Sequence, residues 1–297
     1  MKRLSVIIVT YHSENDIYDC LQTLWQHCDI AKDELEVIVV DNSPECEPMF
    51  TQLKERYADD IVLIHNTHNG GYGQGNNMGI RQATAPVIMI MNPDVRLCEP
   101  VLRQAIEAYE QDSRLSIYGM KQMADAATPS PYSIVCTYMM NGYLFTLLTS
   151  LANRFDFYMP KYMYISGACF FASKKKMEAI GMFDEKSFMY GEEDDIHCRL
   201  LRMFGPTMRY NTKLHYIHPM HTREPDIEYE KKLIDTTILL NEKNGYPRER
   251  TIRNRLRNLR LLLMRERFKT LIGRGDRKKQ EVMREKREYL RQLSSQS

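Results

Sequence analysis

The sequence predicts an α/β fold in which a mostly parallel central sheet is covered by helices on both faces. Short apolar runs alternate with amphipathic segments through the first 123 residues. Strands that are apolar on both faces are typical of a sheet buried between two layers of helices. Polar residues follow these runs, and folds of this kind bind ligands beyond the carboxyl ends of their strands. The length of 297 residues suits one large domain with an appendage.

Strands and helices alternate regularly in this first part. A continuous run of Val, Ile and Leu indicates a buried strand, whereas apolar residues spaced three and four positions apart indicate one face of a helix. The predicted strands are Leu4–Tyr11, Glu36–Val40, Ile61–His65, Val87–Met91 and Leu115–Met120. The predicted helices are Asn15–His27, Glu47–Tyr57, Gly75–Ala83 (after a glycine-rich loop) and Pro100–Tyr109.

The chain beyond residue 123 is less regular. Ala124–Pro160 contains several prolines and an aromatic and Met-rich middle, and this composition predicts a flexible insert over the site. The elements predicted after it are a strand Tyr164–Ala172, a helix Lys174–Ile180, a helix from the acidic run to about Phe204, a His-rich segment, and helices beyond Asp226 with a break at Gly245-Tyr246-Pro247.

The net charge of +2 is unevenly distributed along the chain. From Tyr246 onwards the chain contains 17 Lys and Arg and 6 Asp and Glu, which leaves 24 basic and 33 acidic residues in the remainder. We therefore predict a domain over residues 1–225, with halves 1–123 and 124–225, and a basic helical extension over 226–297.

The extension contains a segment, residues 250–267, with arginines around an apolar side. Basic amphipathic helices bind anionic membrane surfaces. The alternative is that this helix packs on the domain or on the partner in a homodimer. The segment has no interleaved aromatic residues and no nucleic-acid-binding motif, so we expect no nucleic acid partner.

The cysteines point to a reducing compartment. Seven are present, without a CxxC pair, which argues against a zinc site or a disulfide framework. The apolar run Leu4–Val9 is too short for a signal peptide, and we expect a cytoplasmic protein, peripheral on the inner face of the membrane if the tail binds lipid.

Two polar segments follow predicted strands in the first half. Asp41-Asn42-Ser43 offers acceptors for a base or a ribose, although Asp and Ser also favour turns. The segment 69–79 is rich in glycine, and such a loop lets backbone N–H groups approach phosphates. It does not match the dinucleotide fingerprint, because Asn76 stands where the third glycine belongs and the loop follows the third strand rather than the first.

A lone carboxylate, Asp94, follows the fourth strand in the sequence Asn92-Pro93-Asp94. A hard oxygen ligand at a strand end suits Mg²⁺ or Mn²⁺ bridging a diphosphate, and a turn-forming Asp is the alternative. The histidines at 215, 218 and 221 lack the spacing of a structural zinc site. We expect one of them to complete a divalent-metal site.

Four adjacent acids, Glu192 to Asp195, begin a predicted helix about 100 residues after Asp94. Their mutual repulsion is costly unless the helix dipole, a metal or a substrate offsets it. The presence of both this run and Asp94 suggests that one carboxylate binds a metal and another accepts a proton. The alternative is that the run is the solvated start of an acid-rich helix.

Taken in order, these segments resemble the large family-2 glycosyltransferases, and bacterial rhamnosyltransferase-like members most of all. The resemblance covers about residues 3–222. It is carried by Val9-Thr10-Tyr11, Val40-Asp41-Asn42-Ser43, Asn69-x-Gly71-Tyr72-Gly73, Asn76-Asn77-x-Gly79, Asn92-Pro93-Asp94, Ser166-Gly167-Ala168-Cys169-Phe170-Phe171, Gly181-x-Phe183-Asp184-Glu185 and Tyr190-Gly191-Glu192-Glu193-x-Asp195 with Arg199.

This resemblance implies a GT-A fold, a nucleotide-diphospho-sugar donor and inversion at the anomeric carbon. It implies that Glu193 is the base, with Asp195 as the alternative and Glu192 as a positioning residue. Asp94 matches the metal-binding acid of the family, and His218 a histidine near the diphosphate with Thr222 after it. The residues matching the nucleotide site are Thr10, Tyr11, Asp41, Asn69, Gly71, Asn77, Asn92 and Asp94.

The implied acceptor is a saccharide or a lipid-linked molecule in cell-surface polysaccharide synthesis, contacted by the insert 124–160. Two other classes stay open from the residues. A sugar nucleotidyltransferase normally has a glycine-rich loop after the first strand, and the chain has none between Tyr11 and Asn15. A non-catalytic sugar-nucleotide-binding protein would not need both Asp94 and Glu193.

Overall fold

A computed structural model describes residues 1–45, 48–57, 60–137, 144–188, 191–219 and 226–295. The strands within these ranges are β1 Leu4–Thr10, β2 Leu35–Asp41, β3 Val62–His65, β4 Val87–Met91, β5 Arg96–Leu97, β6 Ile117–Met123, β7 Ile134–Cys136, β8 Met163–Ile165, β9 Cys169–Ser173 and β10 Met208–Ile217. The helices are α1 Ile17–Gln26, α2 Pro48–Tyr57, α3 Gly71–Gln82, α4 Leu102–Gln111, α5 Phe145–Phe155, α6 Lys174–Ala179, α7 Glu192–Phe204, α8 Ile227–Lys243, α9 Arg248–Leu271 and α10 Arg277–Ser295.

The central sheet has eight strands in the order β3-β2-β1-β4-β9-β6-β10-β5. The pairs β3–β2, β2–β1, β1–β4 and β6–β10 are parallel, as predicted. Strand β9 is antiparallel to both β4 and β6, so the sheet is mixed. The strands β1, β2 and β4 are buried along almost their whole length, which explains their nearly continuous apolar sequences.

The glycine-rich segment is a helix rather than a loop, which corrects the prediction that the helix begins at Gly75. Helix α3 already begins at Gly71. A Cβ added at Gly75 would lie 2.6 Å from Val9 Cγ1, and one at Gly79 would lie 2.3 Å from Ile7 Cγ2. The glycines therefore let α3 lie close against β1, and they are spaced along its buried face.

Three further predictions differ from the structure. The predicted strand Tyr164–Ala172 is two strands, β8 and β9, because the backbone of residues 166–168 bonds outside the sheet. The start of the His-rich segment, His215 to Ile217, belongs to β10, and His218 follows the strand. The pairing of β10 with β6 is irregular between Asn211 and His215, and this irregularity hides the strand pattern. The segment predicted to be an irregular insert contains β7 and helix α5.

The chain divides into two compact units: Met1–Ser133 with Ile165–Met220, and Ile134–Tyr164 with His221–Ser297. The first contains the central sheet. The second contains α5 and the three C-terminal helices, which share a core of eight apolar side chains. The domain limits 1–225 and 226–297 stay a prediction. Among the described residues, no helix is both long and apolar enough to cross a bilayer.

Candidate active site

Asp41 is the buried acid at the carboxyl end of β2. It pairs in register with Thr10 of β1, and its Oδ1 accepts hydrogen bonds from Thr10 Oγ1 at 3.1 Å and from Ser43 Oγ at 2.8 Å. Its Oδ2 is equally buried and has no hydrogen-bond partner in the described part of the chain. An unsatisfied buried acceptor is costly, so this oxygen is suited to a donor group on a ligand.

Amide side chains join the ends of β2 and β3 to the start of α3. Asn66 Nδ2 donates to Asn42 Oδ1 at 2.8 Å, and Asn42 Nδ2 donates to the Gly71 carbonyl oxygen at 3.0 Å. Asn69 Oδ1 accepts from the Gly71 N–H at 3.0 Å. Gly71 has φ +90°, and a Cβ there would lie 1.8 Å from the Phe188 carbonyl oxygen, so only glycine fits.

The side-chain amide of Asn77 is hydrogen-bonded to Phe183 and Glu185. Its Nδ2 donates to the Phe183 carbonyl oxygen and to Glu185 Oε1, each at 2.9 Å, and its Oδ1 accepts from the Phe183 N–H at 2.9 Å. The side chain is 1% exposed. In this structure Asn77 holds the segment 183–185 against α3, and its contact with a nucleotide stays a prediction.

Tyr11 lies after β1 with half of its side chain exposed. Its ring meets His12 edge to face at a centroid distance of 4.3 Å. The Tyr11 backbone N–H donates to Ser13 Oγ at 3.1 Å. An exposed ring beside Thr10 and Asp41 is available to stack on a planar group.

Asp94 and His218 meet although 123 residues separate them in the sequence. His218 Nε2 lies 3.2 Å from Asp94 Oδ1, and each side chain is about one-fifth exposed. His218 Nδ1 lies 3.1 Å from Gln122 Nε2, and Gln122 Oε1 accepts from Tyr216 Oη at 3.1 Å. The Gln122 amide nitrogen donates to Nδ1, which leaves the proton of a neutral imidazole on Nε2, facing Asp94. Binding of a metal at Nε2 would require the Gln122 amide to turn its oxygen towards Nδ1, which would then donate its N–H.

The other predicted members of this site have different surroundings. His215 Nδ1 contacts Glu99 Oε1 at 2.9 Å rather than Asp94. Asn92 donates its backbone N–H to the Ala168 carbonyl oxygen at 2.8 Å. His221 and Thr222 lie outside the described residues, as does Tyr190. Within the described ranges no three His, Cys, Asp or Glu side chains form a metal-binding group, and Asp94 with His218 is a pair of candidate ligands.

The acidic run occupies the first turn of α7. Gly191 precedes the helix with φ +89°, and Glu192 to Asp195 follow. The positive end of the helix dipole offsets part of the repulsion among these acids. This placement explains how four adjacent carboxylates are tolerated in a largely buried segment.

Glu193 packs against Gly167. A Cβ at Gly167 would lie 2.1 Å from Glu193 Oε1, so a side chain at position 167 would displace the carboxylate. Burial raises the pKa of Glu193, while hydrogen bonds from backbone N–H groups, that of Gly167 included, oppose this rise. A carboxylate whose pKa is raised is a better proton acceptor near neutral pH.

Asp195, the alternative base, is engaged in a buried ion pair. It is 1% exposed, and its Oδ2 accepts from Arg199 Nε at 2.9 Å. Arg199 Nη1 also donates to the Ile180 carbonyl oxygen at 2.7 Å. This arrangement ties α7 to the end of α6, whereas Glu193 forms no ion pair within the part of the chain that the structure describes. Glu192 is also buried, 3% exposed.

Four residues of this site were missed from the sequence: Tyr72, Gln122, Gly167 and Tyr216. Gly167 and Tyr72 lie inside segments that carried the resemblance, so the signal was present but no role followed from it. Gln122 falls just past the predicted end of its strand at Met120, and β6 continues to Met123. Tyr216 lies between two histidines in a strand that the pattern did not reveal.

Solved structures similar to this chain are glycosyltransferases. A mannosyltransferase of Pyrobaculum calidifontis, solved with GDP-Man and Mn²⁺, matches 99% of this chain and 87% of its own with a TM-score of 0.63 and 12% identity. TarS of Staphylococcus aureus matches 86% of this chain and 70% of a TarS chain with a TM-score of 0.56 and 16% identity. These likenesses show the fold, and the predicted GT-A fold is confirmed.

Sequence comparison places the chain within this class. It matches the model of glycosyl transferase family 2 over residues 5–181, and it belongs to that family. A hexosyltransferase of low-salt glycan biosynthesis, Agl10 of Haloferax volcanii, is 30% identical over 207 residues, 67% of this chain. The poly(ribitol-phosphate) β-N-acetylglucosaminyltransferase TarS of Staphylococcus aureus is 25% identical over 64% of it. The chain covers 62% and 35% of the lengths of these two relatives.

Proposed function

We propose that this protein transfers a hexosyl group, with inversion, from a nucleotide-diphospho-sugar to a hydroxyl of a saccharide or lipid-linked acceptor in cell-surface polysaccharide synthesis. The observation that carries this proposal is a continuous set of contacts. Asn42, beside Asp41, bonds to Gly71, and the next residue, Tyr72, bonds to Gly167, which contacts Glu193. Ala168 then bonds to Asn92, two residues before Asp94. These contacts support the proposal that the candidate donor, base and metal residues form one site. Rhamnose as the donor sugar stays a prediction from the sequence.

The donor base is proposed to present an N–H to Asp41. When Asp41 is ionised, its buried Oδ2 carries no hydrogen and can only accept a hydrogen bond. Uracil N3 and guanine N1 are ring nitrogens that carry a hydrogen on the pairing edge. Adenine and cytosine have an acceptor nitrogen at that ring position and donate only through the exocyclic amino group beside it. The solved relatives support this choice, because TarS was solved with UDP-GlcNAc and the Pyrobaculum enzyme with GDP-Man.

Thermal unfolding with UDP, GDP, ADP and CDP in the presence of Mn²⁺ tests this proposal. UDP or GDP is expected to raise the melting temperature, by an amount equivalent to about 2.7 kcal/mol at 100 times its Kd. Asp41→Asn should lower the affinity for that nucleotide about tenfold or more, because the amide of asparagine places a donor beside the N–H of the base. Asp33→Asn, on an exposed acid, is the control. Equal shifts with all four nucleotides would contradict recognition of the base, and no shift with any would contradict the proposed function.

A divalent cation, Mg²⁺ or Mn²⁺, is proposed to bind at Asp94 and His218. A carboxylate oxygen and an imidazole nitrogen are both suitable ligands for Mn²⁺. Mg²⁺ prefers the oxygen ligand to the nitrogen ligand. Two protein ligands leave coordination positions for diphosphate oxygens and water. When bound, the cation neutralises charge on the diphosphate leaving group.

Glu193 is proposed as the base. The acceptor hydroxyl loses its proton to the Glu193 carboxylate as its oxygen bonds to the anomeric carbon. The bond between that carbon and the diphosphate oxygen breaks, and the electron pair leaves with the diphosphate. A single displacement from the opposite face inverts the anomeric configuration. Water could compete as the nucleophile, and the partial burial of Glu193 limits the access of water to it.

The protein is proposed to be cytoplasmic and to bind an anionic membrane surface through the end of α9. The apolar side chains of α9 nearest its start, such as Ile252 and Leu259, lie in the core shared with α8 and α10. At its end the large apolar side chains are exposed instead, with exposed Arg265, Arg267, Arg274 and Lys279 nearby in the sequence. The exposed apolar residues are Met264, Phe268, Leu271 and Ile272. Apolar side chains flanked by cations suit the interface of an anionic bilayer.

Cosedimentation with lipid vesicles tests this membrane contact. The protein should bind vesicles containing phosphatidylglycerol and bind pure phosphatidylcholine weakly. Phe268→Ser with Leu271→Ser should reduce binding at least tenfold, because each removes apolar area from the interface. Leu147→Ser with Leu151→Ser, an exposed apolar pair on α5, is the matched control. Undiminished binding by the first double variant, or equal binding to both lipids, would contradict the proposal.

A further inference from the structure

Gly167 lies between a tyrosine of α3 and the proposed base. Tyr72 Oη donates a hydrogen bond to the Gly167 carbonyl oxygen at 2.8 Å. On its other side the Gly167 backbone packs against the Glu193 carboxylate, since a Cβ added at Gly167 would lie 2.1 Å from Glu193 Oε1. There is no room for a side chain between Gly167 and Glu193, because a Cβ at Gly167 would also lie 2.6 Å from Glu193 Cγ. The backbone of Gly167 is thus held by Tyr72 and itself holds Glu193.

Tyr72 is itself fixed by several contacts. Its ring packs edge to face on Phe183, with ring centroids 5.6 Å apart and an angle of 89° between the ring planes. Its backbone N–H donates to the Phe188 carbonyl oxygen at 3.2 Å. Because α3 lies close against β1, the sheet fixes the position of the helix that carries Tyr72. The contacts with Phe183 and Phe188 then hold its side chain and backbone in place.

The electrostatic surroundings keep the Tyr72 hydroxyl protonated. Burial, and then the negative charges of Glu193 and Glu192, raise the pKa of Tyr72 well above its usual value. A protonated hydroxyl has a hydrogen to donate at every pH at which the enzyme would work. Its hydrogen bond to the Gly167 carbonyl therefore persists while Glu193 gains and loses a proton.

We propose that Tyr72 is a positioning residue that fixes the base Glu193 through the backbone of Gly167. This inference rests on the proposed function, in which Glu193 accepts the proton of the acceptor. Tyr72 does not touch the reacting atoms. It limits the positions that the Gly167 backbone can take, and so the positions of the carboxylate that packs against this backbone. Small displacements of a catalytic group are costly in rate.

Tyr72→Phe is the test, because it removes the hydroxyl and keeps the ring on Phe183. The turnover number is expected to fall about three- to tenfold, with the KM of the donor within about twofold of the wild-type value. Tyr18→Phe is the matched control, since the Tyr18 hydroxyl also donates a hydrogen bond, to Gln52 Oε1 at 2.6 Å, between α1 and α2. The control is expected to retain the wild-type rate.

The pH profile separates positioning from a general loss of stability. The Gly167 backbone N–H lowers the pKa of Glu193. A loosened Gly167 should stabilise the ionised carboxylate less, so the acidic limb of kcat/KM in Tyr72→Phe should move to higher pH. A wild-type rate would overturn the proposal, and so would a lower rate with an unchanged acidic limb.

A double variant distinguishes failure of this inference from failure of the proposed function. If Tyr72 acts through Glu193, adding Tyr72→Phe to Glu193→Gln should leave the residual rate unchanged, because residues that act as one unit are not additive. A further multiplicative loss would overturn the role of Tyr72 alone. Full activity of Glu193→Gln by itself would overturn the base assignment and this inference with it.

Discussion

Glu193→Gln is expected to lower the turnover number by about 10²- to 10⁴-fold, because the amide cannot accept the proton of the acceptor hydroxyl. The KM of the donor should stay within about twofold, since Glu193 contacts Gly167 and is assigned no contact with the nucleotide. Steady-state kinetics with a sugar-nucleotide donor measure both values. Glu178→Gln, on an acid whose side chain is half exposed in a surface ion pair with Lys174, is the control and should keep full activity.

The same variant should not lose stability. The pKa of Glu193 is raised in the folded protein, so the folded state binds this proton more tightly than the unfolded state does. The stability linked to this group is present below the unfolded pKa and is lost as the pH rises through the folded pKa. At neutral pH the buried carboxylate therefore costs stability, and glutamine removes that cost. An equal or higher melting temperature with a lost rate would show a catalytic defect, whereas a retained rate would exclude Glu193 as the base.

Glu193→Asp adds a graded measurement of the position of the carboxylate. Aspartate is shorter by one methylene and moves the carboxylate by about 1 Å. We expect a rate between those of the wild type and Glu193→Gln. The acidic limb of the pH profile should persist in Glu193→Asp and disappear in Glu193→Gln.

The sequence predicted those site residues that local chemistry marks. Asp41 and Asp94 each follow a buried apolar strand, and parallel strands bring their carboxyl ends to one edge of the sheet. Because their positions follow from strand pattern alone, both could be found without a structure. His218 was expected to join Asp94, and the structure brings the two together.

The missed features depend on contacts between segments that are distant in sequence. Glycine predicts a loop by its conformational freedom, and only the distance from Gly79 to Ile7 shows that these glycines allow a helix to approach a strand. The pairing of Tyr72 with Gly167 spans 95 residues, and no local pattern encodes it. Asp195 likewise appears equivalent to Glu193 in sequence, and only its ion pair with Arg199 separates their roles.

Asp94→Asn is expected to lower kcat/KM by about 10²-fold or more. Asparagine keeps an oxygen ligand but loses the negative charge that holds a divalent cation beside a diphosphate. Calorimetric titration with Mn²⁺ in the presence of the nucleotide that stabilises the protein gives a readout independent of turnover. Mn²⁺ affinity should fall at least tenfold in Asp94→Asn.

Two histidine variants provide the matched comparison for the same metal site. His218→Gln should weaken Mn²⁺ binding, because Nε2 of His218 lies 3.2 Å from the Asp94 carboxylate. His215→Gln should leave it unchanged, because His215 contacts Glu99 instead. Equal affinities in Asp94→Asn, His218→Gln and the wild type would place the cation elsewhere. Loss of affinity in His215→Gln alone would exchange the roles of the two histidines, which have different acidic neighbours: Glu99 for His215 and Asp94 for His218.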